Sequence, residues 1–364
     1  MNSIDHFLNS FRLLLFPAAL LYGMVVRLRN LAYDKGWLPS QSFNLPLICI
    51  GNLSVGGTGK SPLTEHLIAI LKDRYRVAAL SRGYKRRTRG YVLAGEGTTA
   101  LEIGDEPMQL HLKHPEVHVA VGEARAEALP QLLFDRPGTE VVILDDAFQH
   151  RAVKAGLNIL LTDRNNLYTR DFLLPTGDLR DRRSSANRAD IVIVTKCPQS
   201  MSPAEADSIR MELRLNEGQE LFFTSIAHDE AYHFTTHRRR PLGRETEALL
   251  FTGIANPGPL KNHLQETLNS YEEIRFSDHH LFDIDDVKGI LRRFSAMESE
   301  EKVMLTTEKD AVRLGRFASV LKDEPLFIVP IRVEFLFGDE ERFRRRIFNF
   351  IETFKEGGAR EKGR

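Results

Sequence analysis

Six apolar runs constrain this chain more than any other feature. Residues 45–52 (LPLICIGN), 77–83 (VAALSRG), 117–122 (VHVAVG), 140–146 (EVVILDD), 157–163 (LNILLTD) and 189–196 (ADIVIVTK) are short and rich in β-branched residues. Amphipathic stretches such as SPLTEHLIAILKD and EARAEALPQLLFD separate several of them. Strands apolar on both faces, alternating with helices, predict a mostly parallel sheet covered by helices, an α/β core over residues 37–220. The pattern then changes. Residues 221–248 read as extended chain with a basic turn, 249–327 as a second, smaller α/β domain, and 328–364 as a returning strand, an amphipathic helix and a frayed tail from residue 356. The runs 221–226 and 328–336 bracket the smaller domain and are expected to pair as a two-stranded hinge.

The first apolar run leads directly into VGGTGKS, residues 55–61. A phosphate-cradling P-loop reads G-x-x-x-x-G-K-[ST]. Gly59, Lys60 and Ser61 match its end, whereas Ser54 stands where the first glycine belongs. The context compensates: a buried strand enters the loop, Gly56, Gly57 and Gly59 let backbone N–H groups turn inward, and a helix with Pro62 in its first turn leaves it. A helix N-terminus with free N–H groups is an anion site. Residues 54–61 (Ser54, Val55, Gly56, Gly57, Thr58, Gly59, Lys60, Ser61) are therefore expected to hold ATP, with Lys60 on the β- and γ-phosphates and Ser61 on Mg²⁺. Such a site needs carboxylates at the end of a neighbouring strand, and VVILDDAFQH supplies Asp145 and Asp146. Adjacent carboxylates there repel unless a cation lies between or near them.

Charge and cysteine content narrow the class. The 50 basic and 50 acidic residues balance, so no global field draws the chain to nucleic acid. The two cysteines, Cys49 and Cys197, stand in no metal-ligand spacing. Near the start, LLLFPAALLYGMVV between Arg12 and Arg27 falls short of the roughly 20 apolar residues that cross a bilayer. With Arg27, Arg29 and Tyr33 beside it, residues 1–36 suit a helix lying in a membrane interface, or equally a helix packed on the core.

GNLSVGGTGKSP, SRGYKR, GDEPMQL, LDDAFQH, LLPTGDLRD, FTGIANP, DHHLF and TTEKDAVRL follow one another in this order. Together they resemble the tetraacyldisaccharide 4′-kinase family, over nearly the whole chain. The resemblance implies an ATP- and Mg²⁺-dependent lipid kinase at the cytoplasmic face of the inner membrane. It would phosphorylate the 4′-hydroxyl of tetraacyldisaccharide 1-phosphate, an acylated disaccharide lipid, to give lipid IVA. A hydroxyl residue at position 54 is tolerated in that family.

Phosphoryl transfer to an alcohol needs a positioned hydroxyl and a proton acceptor. Asp105 and Glu106 of GDEPMQL open a helix, where acidic residues also serve simply as caps. The resemblance makes Asp105 the base, acting with His279 of SDHHLF rather than His280, and Glu106 joins Ser61, Asp145 and Asp146 as a candidate Mg²⁺ ligand. Bringing residue 279 to residue 105 requires the two domains to close. Tyr84, Arg125, Gln149, His150 and Arg180 fall after strands, where open α/β sheets bind ligands, and are expected to contact substrate. The run Lys85, Arg86, Arg87 suits lipid head groups or a solvated loop. Asn256, Glu308, Lys309 and Asp310 are expected at the nucleotide cleft. A nucleotide-driven switch would carry a lysine where Val55 stands, and a small-molecule ligase would leave the apolar N-terminal stretch without a purpose.

Overall fold

The structure, a computed structural model, describes residues 14–299 and 301–362. Residues 1–13 of the expected N-terminal segment lie outside them. Helix α1 (Phe16–Asp34) begins with a proline in its first turn, and only Ala19 and Asn30 on it are buried. The core sheet comprises β1 (Leu47–Asn52), β2 (Val77–Ser81), β3 (Val92–Leu93), β4 (His118–Val121), β5 (Val141–Leu144), β6 (Leu157–Asp163), β7 (Ile191–Thr195), β8 (Glu220–His228) and β15 (Ile331–Phe335). Their order is β15-β8-β7-β6-β1-β5-β2-β4-β3, parallel from β8 through β4, with an antiparallel strand at each edge. The six predicted runs are its six central strands. β1, β2, β5 and β7 are buried at every position, because helices cover both faces.

The covering helices are α2 (Lys60–Leu71), α3 (Ala100–Ile103), α4 (Asp105–Lys113), α5 (Arg125–Asp135) and α6 (Pro203–Leu213). The smaller sheet holds β9 (Ala231–His233), β10 (Arg239–Arg240), β11 (Glu247–Thr252), β12 (Ser270–Arg275), β13 (Lys302–Thr307) and β14 (Leu326–Val329), in the order β10-β9-β14-β13-β11-β12. Helices α7 (Gly258–Thr267), α8 (Ile284–Ser295), α9 (Glu308–Leu314) and α10 (Ala318–Leu321) surround it. The final helix α11 (Glu340–Lys362) returns to the core, burying Phe343, Ile347 and Ile351 at i, i+4 and i+8. Each such side chain contributes roughly 1.5–3 kcal/mol on burial.

Three expectations require correction. The linker 221–248 is not a linker throughout, because β9 and β10 inside it join the smaller sheet. The boundary at 327/328 cuts β14, and the chain leaves the smaller sheet at Pro330, whose missing N–H cannot continue a ladder. The expected hinge pair exists as β8 and β15, with Ile331 opposite His228 and Phe335 opposite Thr224. It is no isolated ribbon, since β8 also pairs with β7 and so extends the core sheet. Helix α11 also runs through Gly357 to Lys362, where fraying was expected. Its many good helix formers outweigh two glycines there.

Candidate active site

β1 is flanked by β5 and β6, so the loops after β1 and β5 emerge side by side at one sheet edge. Gly59 has φ +84° and caps α2, while Gly56 has φ +96°. No atom lies within 4 Å of a Cβ built on Gly56 or Gly57, which leaves room for an incoming phosphate. Inside, the loop is tied down: Thr195 Oγ1 donates to the Thr58 carbonyl at 2.9 Å, and the Val55 amide donates to the Asp178 carbonyl at 2.7 Å. Gly51, near the end of β1, lets the loop after β5 approach that strand, because a Cβ there would lie 2.5 Å from Phe148 Cβ.

The two aspartates have different surroundings. Asp145 is buried and accepts from Thr64 Oγ1 at 3.2 Å. Burial, with Glu106 and Asp146 nearby, pushes its carboxyl up to about 6. Burial also acts on Asp146, but Arg180 and Lys60 overcome it and hold that carboxyl down at about 2. Arg180 grips both Asp146 oxygens, Nη1 donating to Oδ2 at 3.0 Å, and Lys60 Nζ stands 3.6 Å from Oδ1. Asp146 adopts φ +47°, a conformation costing about 1–2 kcal/mol that the surrounding contacts must offset. The expected repulsion between the two is thus relieved in two ways, by proton affinity at one and by fixed cations at the other.

Lys60 Nζ also donates to Asn52 Oδ1 at 3.2 Å. Asn52 Nδ2 and Thr58 Oγ1 are buried without a partner, which marks polar capacity beside the loop. Glu106 pairs with Lys309 of the smaller domain at 2.6 Å. Burial disfavours its charge, but Lys309 and Ser61 lower its carboxyl on balance. Among the described residues no group of three or more His, Cys, Asp or Glu forms a metal cage. Ser61, Asp145, Asp146 and Glu106 instead supply a few hard oxygens around a phosphate loop, a donor set that fits Mg²⁺, which keeps waters and shares phosphate oxygens. The open glycine loop likewise fits the nucleotide.

The smaller domain closes the other side. Gly104 (φ +94°) turns the chain into α4 so that Asp105 is the first helical residue. His279 Nδ1 lies 3.4 Å from Asp105 Oδ2, and His279 adopts φ +61°. His280 faces elsewhere, bonded to Asp286 at 2.7 Å and stacked on Phe276. Tyr84 is exposed, its ring edge-on to His279 at 6.2 Å.

Other expected contacts divide. Gln149 Nε2 donates to the Asn52 carbonyl at 2.8 Å, and His150 is half-buried beside it, its ring pushed down to about 4 by burial and Arg125. Arg125 is 1% exposed, with its guanidinium bonded to the carbonyls of Gly122 and Asp145. In this conformation it braces the loop after β5 from behind. Glu308 and Asp310 are buried, and exposed Asn256 accepts from the Gly258 amide at 3.1 Å. Lys309, reaching Glu106, does lie at the cleft.

Two tethers had no recognisable signal in the sequence. The polar side of α1 docks against this site: Tyr22 OH donates to the Arg180 carbonyl at 2.9 Å, Arg29 Nη2 to the Gln149 carbonyl at 2.8 Å, and Asn30 Nδ2 to Asp181 Oδ1 at 2.8 Å. Between the domains, Lys113 bonds both Glu65 of α2 and Glu308 of α9, the latter at 2.5 Å.

The family model described as tetraacyldisaccharide-1-P 4′-kinase matches residues 11–352. The chain belongs to the tetraacyldisaccharide 4′-kinase family. A tetraacyldisaccharide 4′-kinase of Bacteroides thetaiotaomicron is 45% identical over 361 residues, covering 95% of both chains. That of Flavobacterium johnsoniae is 44% identical over 345 residues, covering 94% of this chain and 98% of its own. Among solved structures, LpxK from Aquifex aeolicus in complex with ATP superposes with a TM-score of 0.74 at 29% identity, covering 94% of this chain and 99% of that one. The fold is therefore that of the kinase family, a P-loop NTPase-like sheet joined to a smaller α/β domain.

Proposed function

We propose that the protein transfers the γ-phosphoryl group of ATP to the 4′-hydroxyl of tetraacyldisaccharide 1-phosphate, giving lipid IVA. The observation that carries this reading is the meeting of Asp105 with His279 across the domain boundary, beside a glycine loop with free helix N–H groups. A hydrolytic switch has no use for a second domain that delivers a histidine to a carboxylate.

Residues 54–61 would hold the triphosphate, with Lys60 on its outer phosphates, and Ser61, Asp145, Asp146 and Glu106 would hold Mg²⁺. The bound nucleotide with its metal supplies an electrophilic phosphorus whose charge is already partly neutralised. Asp105 accepts the proton of the 4′-hydroxyl as the oxygen–phosphorus bond forms and the bond to the β-phosphate bridge breaks. His279 stands beside that carboxylate, delivered by the smaller domain. Tyr84 stands at the mouth, and Arg180, Gln149 and His150 line the side facing α1. Positioned base catalysis of this kind is worth roughly 10²–10⁴-fold.

The membrane surface is the second half of the proposal. No described helix is long and apolar enough to cross a bilayer. Yet Leu20, Leu21, Met24, Val25, Leu28 and Leu31 of α1 are all exposed, while its opposite side is bonded to residues 149, 180 and 181. An apolar face fixed that close to the catalytic loops supports interfacial docking at the cytoplasmic face of the inner membrane, with the lipid drawn directly into the cleft.

The deciding experiment incubates purified protein with radiolabelled ATP and the acylated disaccharide in mixed micelles. Wild type is expected to phosphorylate the lipid, and Lys60→Ala, Asp105→Asn and His279→Ala each to lose most of the rate while remaining folded by circular dichroism. ATP consumption independent of the lipid, or an unimpaired Lys60→Ala, overturns the reading.

A further inference from the structure

Arg313 sits near the end of α9 with its side chain 1% exposed. On the side of the smaller domain, Nη1 donates to Asp310 Oδ1 and to the Gly253 carbonyl, each at 3.0 Å. Asp310 is itself fully buried, its other oxygen accepting from Thr307 Oγ1 at 2.8 Å and the Gly253 amide at 3.1 Å. The guanidinium is thus bolted to its own domain. Its other edge faces the core. Nε lies 2.9 Å and Nη2 2.8 Å from Oδ2 of Asp105, and Nη2 lies 3.2 Å from Nδ1 of His279.

Two consequences follow from the chemistry of these groups. A guanidinium donates and never accepts, so Nη2 at 3.2 Å can engage only the lone pair of Nδ1. This contact is shorter than the 3.4 Å from Nδ1 to Asp105 Oδ2, which would instead need a proton on Nδ1. The neutral ring then carries its proton on Nε2. Both donors on Asp105 meet the same oxygen, and Oδ1 has no partner among the described residues. Two donors of a rigid guanidinium converging on Oδ2 fix that oxygen in place and leave Oδ1 to a substrate.

We propose that Arg313 is a positioning residue: by holding Oδ2 of Asp105 and the lone pair of His279 it aims Oδ1 at the acceptor hydroxyl, and it does so only while the smaller domain is docked. This rests on the kinase reading above. It makes domain docking and alignment of the base one event, since the clamp and the carboxylate it clamps belong to different domains.

The test compares Arg313→Lys, Arg313→Met and the double variant Asp310→Asn/Arg313→Met, which removes both charges of the buried pair. In Arg313→Met, kcat for lipid phosphorylation is expected to fall roughly 10- to 100-fold with the ATP KM within about threefold, part of the range for a positioned base. Arg313→Lys should recover some of that loss. The double variant should unfold closer to wild type than Arg313→Met yet keep the kcat deficit. Nitrogen-15 shifts of the His279 ring, read without substrate, should report the Nε2–H tautomer in wild type and a mixture in the variants. A double variant with kcat within about twofold of wild type overturns the proposal, as does an Nδ1–H ring in wild type. A wild-type protein inactive on the lipid sinks the kinase reading instead, and the ring tautomer still tests the Arg313 contact by itself.

Discussion

Asp145→Asn should make this protein more stable and inactive. The Asp145 carboxyl is buried behind Thr64 and repelled by Glu106 and Asp146, which raises it from an ordinary 3.8 to about 6. A raised carboxyl means that the folded state binds the proton more tightly than the unfolded chain, so ionisation costs stability as pH rises from about 4 through about 6. At about 1.36 kcal/mol per pH unit, the full cost above pH 7 is about 3 kcal/mol. Asparagine keeps an oxygen for the Thr64 hydroxyl and removes the charge. Urea unfolding of the magnesium-free protein, monitored by fluorescence or circular dichroism at several pH values, should show the variant about 1–3 kcal/mol more stable at pH 8. The gap should close by about pH 4, where wild type carries the proton as well. A variant less stable than wild type at pH 8, or a gap that does not vary with pH, would refute the reasoning. The same change should abolish lipid phosphorylation.

His66 lies on α2 between Phe335 and Phe343, with ring centroids at 5.3 and 6.2 Å. Burial, aided by Arg344, pushes it down to about 4 from 6.5, so stability present above pH 6.5 is lost as the ring is forced to charge between there and pH 4. His66→Leu should flatten that acid limb in unfolding midpoints, and an unchanged limb would assign acid sensitivity elsewhere. Gly51→Ala would drive a methyl into Phe148, since a Cβ at that position comes within 2.5 Å of it, and should destabilise by about 1–3 kcal/mol in the same assay. An unfolding midpoint equal to that of wild type would show that β1 and the loop after β5 part at little cost. Leu21→Asp/Val25→Asp changes two outward residues of α1 and should reduce sedimentation with anionic vesicles several-fold without lowering the unfolding midpoint. Unchanged sedimentation would remove α1 as the membrane contact.

The catalytic half of the core was legible because its signals are local. Gly56, Gly59 and Lys60 occupy one turn after one strand, and Asp145 and Asp146 end another; backbone conformation and strand polarity suffice to place them. The burial of Arg125 was not legible, because a helix-start position says nothing about which way a long side chain turns. Arg313 went unnoticed although Asp310 and Arg313 have the i, i+3 spacing of a helical ion pair, because that spacing is usually a solvated surface feature. The contacts of Glu308 with Lys113 and Gln109 of the other domain had no local signal either.

Order along the chain therefore determined the parallel sheet, the phosphate loop and its paired carboxylates, since each depends on residues a few positions apart and on the hydrophobic period. What only tertiary structure decided was the fate of side chains reaching across segments: the burial of Asp145, the clamp of Arg180 on Asp146, the docking of α1 beside the cleft, and the convergence of Arg313, Asp105 and His279. The first three depend on how loops and helices fold back over one sheet, and the last on the relative placement of two sheets. That placement follows from how their cores pack and how β8 and β15 join them, and no short-range pattern records it.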